Sequence, residues 1–385
     1  MKIFSNSFFI RLFLILFSSF VGLLIINLLI LISLPYAKQK FNFPRTLLRY
    51  LPPLARWNYP DLDNKKADKF VILLGDSNTE GAGDAFLNNR YDYAVGHFLV
   101  KLTDYKFKLA ANSGSDLLFQ LSFLQNSFKN NHSDLKILKE SIAEEDKLKI
   151  LAFFYEGNDL QSVIYEHRYS QNNSYVRKLK SDLKKINNRF LPLGHFFKVI
   201  NYDFKKGNFG FGNKNIITRM IKDKNRTDKH KICRAGNCRN FSEMQSAAPD
   251  LNKNEIELGI NLTANGLARF QEKFKAKICF IYIPSPATVY SPKVIYPQTY
   301  FPNQKEKITA EENIKKSEYI RNKFKTTLTK NDIDFYDSTS YLADIANNIF
   351  IHGEIDQKHL NQKGYKFLAK FVSLKMENCF DDLGR

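Results

Sequence analysis

The sequence predicts an α/β fold: a three-layer α/β/α sandwich with a parallel sheet of about five strands, behind one apolar N-terminal segment. Three observations carry this. Apolar runs of strand length alternate with stretches of helical periodicity, which argues for a parallel sheet covered on both faces. The chain has 385 residues, of which 44% are apolar, enough for a sizeable core and against wholesale disorder. The first long apolar run, near the N-terminus, is of membrane-spanning length.

That run extends from Leu12 to Leu34 without a charged residue in 23 positions. As a helix rising 1.5 Å per residue it spans about 35 Å, enough to cross a bilayer. Signal-peptide cores are shorter, and Pro35-Tyr36-Ala37 is a poor cleavage site. Residues 1–37 are therefore expected to form an uncleaved, single-pass anchor. Lys2 and Arg11 precede it, and Lys38, Lys40, Arg45 and Arg49 follow it. By the positive-inside rule this bias puts the large domain in the cytoplasm. Residues 38–68 carry Pro44, Pro52, Pro53 and Pro60 and read as a linker in which no long helix fits.

The soluble domain is expected over 69–380. Its strands are expected at 70–74, 107–111, 148–155, 276–283 and 333–336, and helices at 91–102, 255–274 and 308–328. A further helix over 362–375 has Leu368, Phe371 and Val372 as its core stripe. Sites in such sheets form at the carboxyl ends of the strands. The stretch 161–250 breaks the rhythm. It has no clear strand run and is dense in Lys, Arg, Asn and aromatics, notably over 177–189 and 205–226. It reads as a basic insertion beside the sheet: a solvated elaboration, or a lid or docking surface for an anionic polymer or membrane.

The net charge of +19 favours anionic partners without choosing among them. No nucleic-acid-binding module surrounds the charge, so nucleic acid is not an expected partner. Four cysteines are too few for a disulfide scaffold. Cys279 lies in an apolar run and is expected to be a buried, inert thiol. Cys233 and Cys238 sit in a polar loop and can close a small disulfide; with His230 they lack a fourth ligand for zinc.

Four short motifs carry the chemistry. The first strand ends in Gly75-Asp76-Ser77. A small residue before a serine just past a buried strand gives a tight turn that exposes the hydroxyl, with backbone N–H groups of the next helix beside it. A serine hydroxyl needs a base, and Asp356-Gln357-Lys358-His359 supplies one. Carboxylate and imidazole three residues apart can meet across one turn, which leaves Nε2 to take the serine proton. Two more motifs follow strands: Asn112-Ser113-Gly114-Ser115, whose Gly114 N–H can approach a bound oxygen, and Glu156-Gly157-Asn158-Asp159, whose Asn158 amide can donate to one. Each motif alone is also ordinary turn chemistry.

Together, in this order, the four motifs resemble the characteristic blocks of the SGNH, or GDSL, hydrolase family. The resemblance spans residues 69–375. It implies Ser77 as nucleophile, His359 as base, Asp356 as its orienter, and an oxyanion hole formed by Ser77, Gly114 and Asn158. No metal or organic cofactor is implied. The second block lacks the commoner Gly-x-x-x-Gly form, and the insertion after Asp159 is long. The segment Tyr282-Ile283-Pro284-Ser285-Pro286 looks like loops of bacterial cell-envelope members, including relatives tied to polysaccharide acetylation. The resemblance therefore implies a serine esterase acting on acyl esters, O-acetyl esters above all, of carbohydrate or other small molecules. It places the domain outside the cytoplasm, against the charge bias. The alternatives are a polysaccharide O-acyltransferase of the same fold and a non-catalytic polysaccharide-binding envelope protein.

Overall fold

A computed structural model describes residues 69–84, 93–111, 116–129, 148–171, 230–241, 244–292, 294–295 and 307–380, with a few helical residues between 14 and 26. The chain forms two units, Met1–Asn58 with Asn173–Gly212, and Tyr59–Asn172 with Asn213–Arg385. In the first, only those few helical residues are described. No helix among the described residues is long and apolar enough to cross a membrane. Apart from those few residues, the expected anchor at 12–34, the linker at 38–68 and the basic clusters at 177–189 and 205–226 lie outside the described residues.

The second unit runs β1 (Lys69–Gly75), α1 (Ser77–Glu80), α2 (Val95–Leu102), β2 (Tyr105–Ala111), α3 (Leu117–Lys129), β3 (Leu148–Tyr155), α4 (Asp159–Gln171), β4 (His230–Arg234), β5 (Asn237–Phe241), α5 (Lys253–Phe274), β6 (Ala276–Ile283), α6 (Pro286–Tyr290), β7 (Val294–Ile295), β8 (Ile308–Thr309), α7 (Ala310–Thr329), β9 (Asp334–Asp337), α8 (Thr339–Ala346) and α9 (Gln362–Phe380). The five strands expected from the sequence form one sheet in the order β2-β1-β3-β6-β9, all parallel. Two helices start later than their apolar pattern suggests. The one expected from 91 begins at Val95. The one expected from 308 begins at Ala310, because Thr309 and Glu312 form a reciprocal capping box there.

Strand alternation explains why both faces of the sheet are apolar. Val71, Leu73, Phe107, Leu151, Phe153 and Ile281 join one cluster with Val95 and Leu99 of α2 and Leu368 and Val372 of α9. On the intervening positions Phe154 stacks on Phe280 and Tyr282, and Phe324 of α7 packs against Phe154 and Phe280. From β1 the chain steps one way to β2, then crosses back to β3 and continues outward. The reversal falls between β1 and β3, and in open parallel sheets ligand sites form outside the carboxyl ends of the strands at such a point.

Two sequence expectations change here. Cys279 is not a free thiol: it is bonded to Cys379, tying β6 to α9. Cys379 lies 100 residues away, a separation that the apolar run around Cys279 does not reveal. Cross-linking so long a loop restricts the unfolded chain, so Cys379→Ser is expected to cost about 2–4 kcal/mol, measured by denaturant unfolding of the oxidised protein. An unchanged unfolding midpoint would refute that bond. The stretch 161–250, read as lacking strands, contains the hairpin β4–β5, closed by a Cys233–Cys238 disulfide. Its strands, His-Lys-Ile-Cys-Arg and Asn-Cys-Arg-Asn-Phe, offer one buried apolar residue each, Ile232 and Phe241, too few for a visible pattern. The start of the stretch belongs to α4, where Leu160 and Ile164 pack against Gly259 of α5.

Candidate active site

Ser77 opens α1 directly after β1. Gly75 is required at the strand end, because a Cβ there would collide with the Thr79 side chain and lie 3.1 Å from the Phe153 carbonyl. Asp76 caps the helix: its Oδ1 accepts from the Asn78 N–H at 2.8 Å. As the first helical residue, Ser77 has an N–H with no acceptor within the helix. The turn thus presents a hydroxyl and a backbone donor together at the end of β1.

Ser77 Oγ lies 2.8 Å from His359 Nε2, and His359 Nδ1 lies 2.7 Å from Asp356 Oδ2. Ser77 and His359 are 282 positions apart in the chain, and with Asp356 they meet in hydrogen-bonding order. Asp76 Oδ2 is a second, longer neighbour of Ser77 Oγ at 3.2 Å. Burial works against a charged His359, but the charge and hydrogen bond of Asp356, with a smaller contribution from Asp76, outweigh it and hold the imidazole pKa above its ordinary value. Burial opposes the charge on Asp356 too, yet His359 and Lys358 keep that carboxyl below the usual range. Asp76 goes the other way, pushed up by burial against the opposing pull of His359 and the Asn78 N–H. The imidazole is therefore oriented by Asp356, whereas Asp76 serves the turn.

The loop that carries Asp356 and His359 is held from the Ser77 side. Asp84, seven residues past Ser77, accepts the backbone N–H groups of Glu354 at 2.5 Å, Ile355 at 3.1 Å and Asp356 at 2.6 Å. Tyr365 donates to the Ala82 carbonyl at 2.7 Å, and Tyr93 donates to the Gly81 carbonyl. Gly83, at φ +139°, lies so close to Leu360 that a Cβ would come within 2.8 Å of its carbonyl. The Ser77 turn and the loop 354–360 are thus tied together. Asp84→Asn replaces one accepting oxygen by an amide that itself donates, leaving a backbone N–H of the loop 354–356 unpaired. Turnover is expected to fall roughly 10–100-fold as the loop shifts. Steady-state kinetics on the folded variant checks this, and parental kcat would dismiss Asp84 as an anchor.

The third motif follows β3, next to β1 in the sheet. Asn158 is half-buried at the turn, and its side-chain oxygen is buried without a hydrogen-bond partner. Its neighbours fix the turn. Glu156, fully buried, accepts from Tyr282 Oη at 2.7 Å, the Ser285 N–H at 2.8 Å and Thr288 Oγ1 at 2.6 Å, which pins the segment after β6. Asp159 Oδ2 accepts the Tyr155 N–H at 2.8 Å, and burial beside Asp76 pushes this carboxyl well up. Gly114 lies outside the described residues.

A second imidazole stands close by. His352 is buried, with Nδ1 3.2 Å from Tyr290 Oη, and burial lowers its pKa to about 3, so it stays neutral. The hairpin touches the same loop. Gln357 Nε2 donates to the Asn240 carbonyl at 2.9 Å, and Arg239 Nη1 reaches the His352 carbonyl at 3.4 Å. Among the described residues no group of three or more His, Cys, Asp or Glu is arranged to hold a metal ion.

Of the residues singled out in the sequence, the structure brings Ser77, His359 and Asp356 into one hydrogen-bonded row and leaves Asn158 at the turn after β3. Sequence reasoning missed Asp84, Glu156 and Gln245, a buried side chain that donates to the Gly157 carbonyl and accepts from Tyr155 Oη. Glu156 carried a signal, a carboxylate directly after an apolar strand. Gln245 had none, since its partners are remote in sequence. No family model, curated protein or solved structure matches the chain.

Proposed function

We propose that this chain is a serine esterase of the SGNH type, acting on acyl esters through a Ser77–His359–Asp356 acyl-enzyme mechanism. The observation that carries the reading is the chain of short contacts from Asp356 through His359 to Ser77 at the carboxyl end of β1. The sheet order, with the site at its switch point, agrees with a flavodoxin-like three-layer sandwich.

In this mechanism Nδ1–H of His359 donates to Asp356, so Nε2 is the free base. It takes the Ser77 proton as Oγ attacks the ester carbonyl. The oxyanion is received by the N–H of Ser77 and the amide of Asn158, with the N–H of Gly114 as the third donor. His359 returns the proton to the leaving alcohol. Water, deprotonated by the same imidazole, then attacks the acyl-enzyme and releases the acid and Ser77.

The substrate class we favour is an O-acetylated carbohydrate of the cell envelope, reached from a membrane-anchored position with the domain on the outer side. Pairing of all four cysteines into disulfides supports that side of the membrane, because such bonds persist in oxidising compartments. A fluorophosphonate probe tests the chemistry directly. One adduct, mapped by mass spectrometry to Ser77, is expected. A folded protein that takes up no probe would move the reading to a non-catalytic polysaccharide binder.

A further inference from the structure

We propose that the buried pair Tyr155–Gln245 is the positioning device of this site, holding the Gly157–Asn158 turn and the Lys358–His359 backbone at a fixed separation. The proposal rests on the esterase reading and adds two residues to it. Tyr155 ends β3 and Gln245 follows the hairpin; both are buried, at 2% and 7% exposure.

The hydrogen bonds form a closed bridge. Gln245 Nε2 donates to the Gly157 carbonyl at 2.9 Å, which turns Oε1 toward the tyrosine. The Tyr155 hydroxyl lies 2.9 Å from that Oε1 and 3.1 Å from the Lys358 carbonyl, and shares its one proton between them. One end of the bridge is thus the residue before Asn158, and the other is the residue before His359. The Gln245 carbonyl in turn accepts the Ala287 N–H at 3.0 Å, which anchors the pair on α6.

Contact is close as well as polar. A Cβ on Gly157 would lie 2.6 Å from a ring carbon of Tyr155 and 2.7 Å from the Gln245 amide carbon. Ring, amide and turn therefore cannot shift independently. A phenylalanine would fill the same space, so packing does not account for the hydroxyl. Burial, then the charges of Asp76, Glu156, Asp356 and Asp159, hold the phenol neutral well above its ordinary range, so it remains a donor wherever the enzyme works. Its hydroxyl faces two protein acceptors and makes no hydrogen bond to Ser77 or His359, which makes Tyr155 a positioning residue and not a catalytic one.

The test is a double-mutant cycle on the full chain with p-nitrophenyl acetate. Tyr155→Phe is expected to lower kcat about 10-fold or more, with KM within about twofold, because it misplaces groups used in the transition state. Asn158→Ala should cost roughly 10²–10³ in the parent. In the Tyr155→Phe background it should cost about 10-fold less, since a displaced donor has less to lose. Gln245→Met, which keeps the volume and removes both hydrogen bonds, should repeat the pattern. Additive effects, or parental kcat in Tyr155→Phe, overturn the proposal. Failure of both variants to fold would assign the pair to the core and overturn it equally. Turnover that survives Ser77→Ala removes the esterase reading itself; Ser77-dependent turnover with an additive cycle removes only the bridge.

Discussion

Ser77→Ala is expected to abolish ester turnover and fluorophosphonate labelling, a loss on the order of 10⁴–10⁶ in kcat, while leaving the fold intact. The size follows from the chemistry: without Oγ there is no atom to form the acyl-enzyme, and only the oxyanion donors and binding contacts remain. The fold should survive because alanine keeps the Cβ and the helical backbone. The cap that starts α1 belongs to Asp76, not Ser77. Ser77 Oγ contacts only His359 and Asp76 by hydrogen bond, and neither contact supports the core. The measurement is turnover alongside thermal unfolding, in a preparation free of contaminating esterase. Parental activity in a variant that unfolds like the parent would bring down the mechanism.

The second large effect is at the base. His359→Ala is expected to cost nearly as much as Ser77→Ala, because a serine hydroxyl without an acceptor stays protonated. Asp356→Ala should cost less, since Asp356 orients the imidazole and stabilises its charged form without taking the proton. The two also differ in pH dependence. Activity needs neutral His359, so kcat/KM should fall as pH drops through the His359 pKa, which Asp356 holds above its ordinary value. Removing Asp356 takes away the largest influence raising that pKa and leaves burial, which lowers it. The acid limb of the profile should therefore move to lower pH in Asp356→Ala. A shift to higher pH would show that the limb does not report His359.

Much of this was legible in the residues because it is local. The five sheet strands are apolar runs bounded by turn residues. The candidate site residues Ser77, Asn158, Asp356 and His359 lie in short motifs at their ends or before a helix. Such features are set by neighbours a few residues away: a strand ending in glycine, a carboxylate capping the next helix, an aspartate and a histidine three apart. What escaped was set by partners far along the chain. Asp84 looks like one more polar residue in a glycine-rich turn until three N–H groups from 354–356 converge on it. Gln245 sits in a stretch read as an elaboration beside the sheet. Its significance appears only when Gly157 and Tyr155 are beside it. The Cys279–Cys379 bond, at a cysteine expected to be a free buried thiol, escaped for the same reason.

The sequence by itself determined that the chain folds as alternating strands and helices around a parallel sheet, and that Ser77, Asn158, Asp356 and His359 all fall at strand ends or just before a helix. Periodicity and turn chemistry depend on the nearest residues, and those are printed in order. Only the tertiary structure decided that β3 lies beside β1 at the point where the strand order reverses, that His359 Nε2 comes within 2.8 Å of a serine 282 positions earlier, and that Tyr155, Gln245 and Asp84 brace the loops involved. The physical reason is that a hydrogen bond across a closed loop depends on where the whole core brings two backbones, to within a few tenths of an ångström. No pattern of adjacent residues encodes that distance.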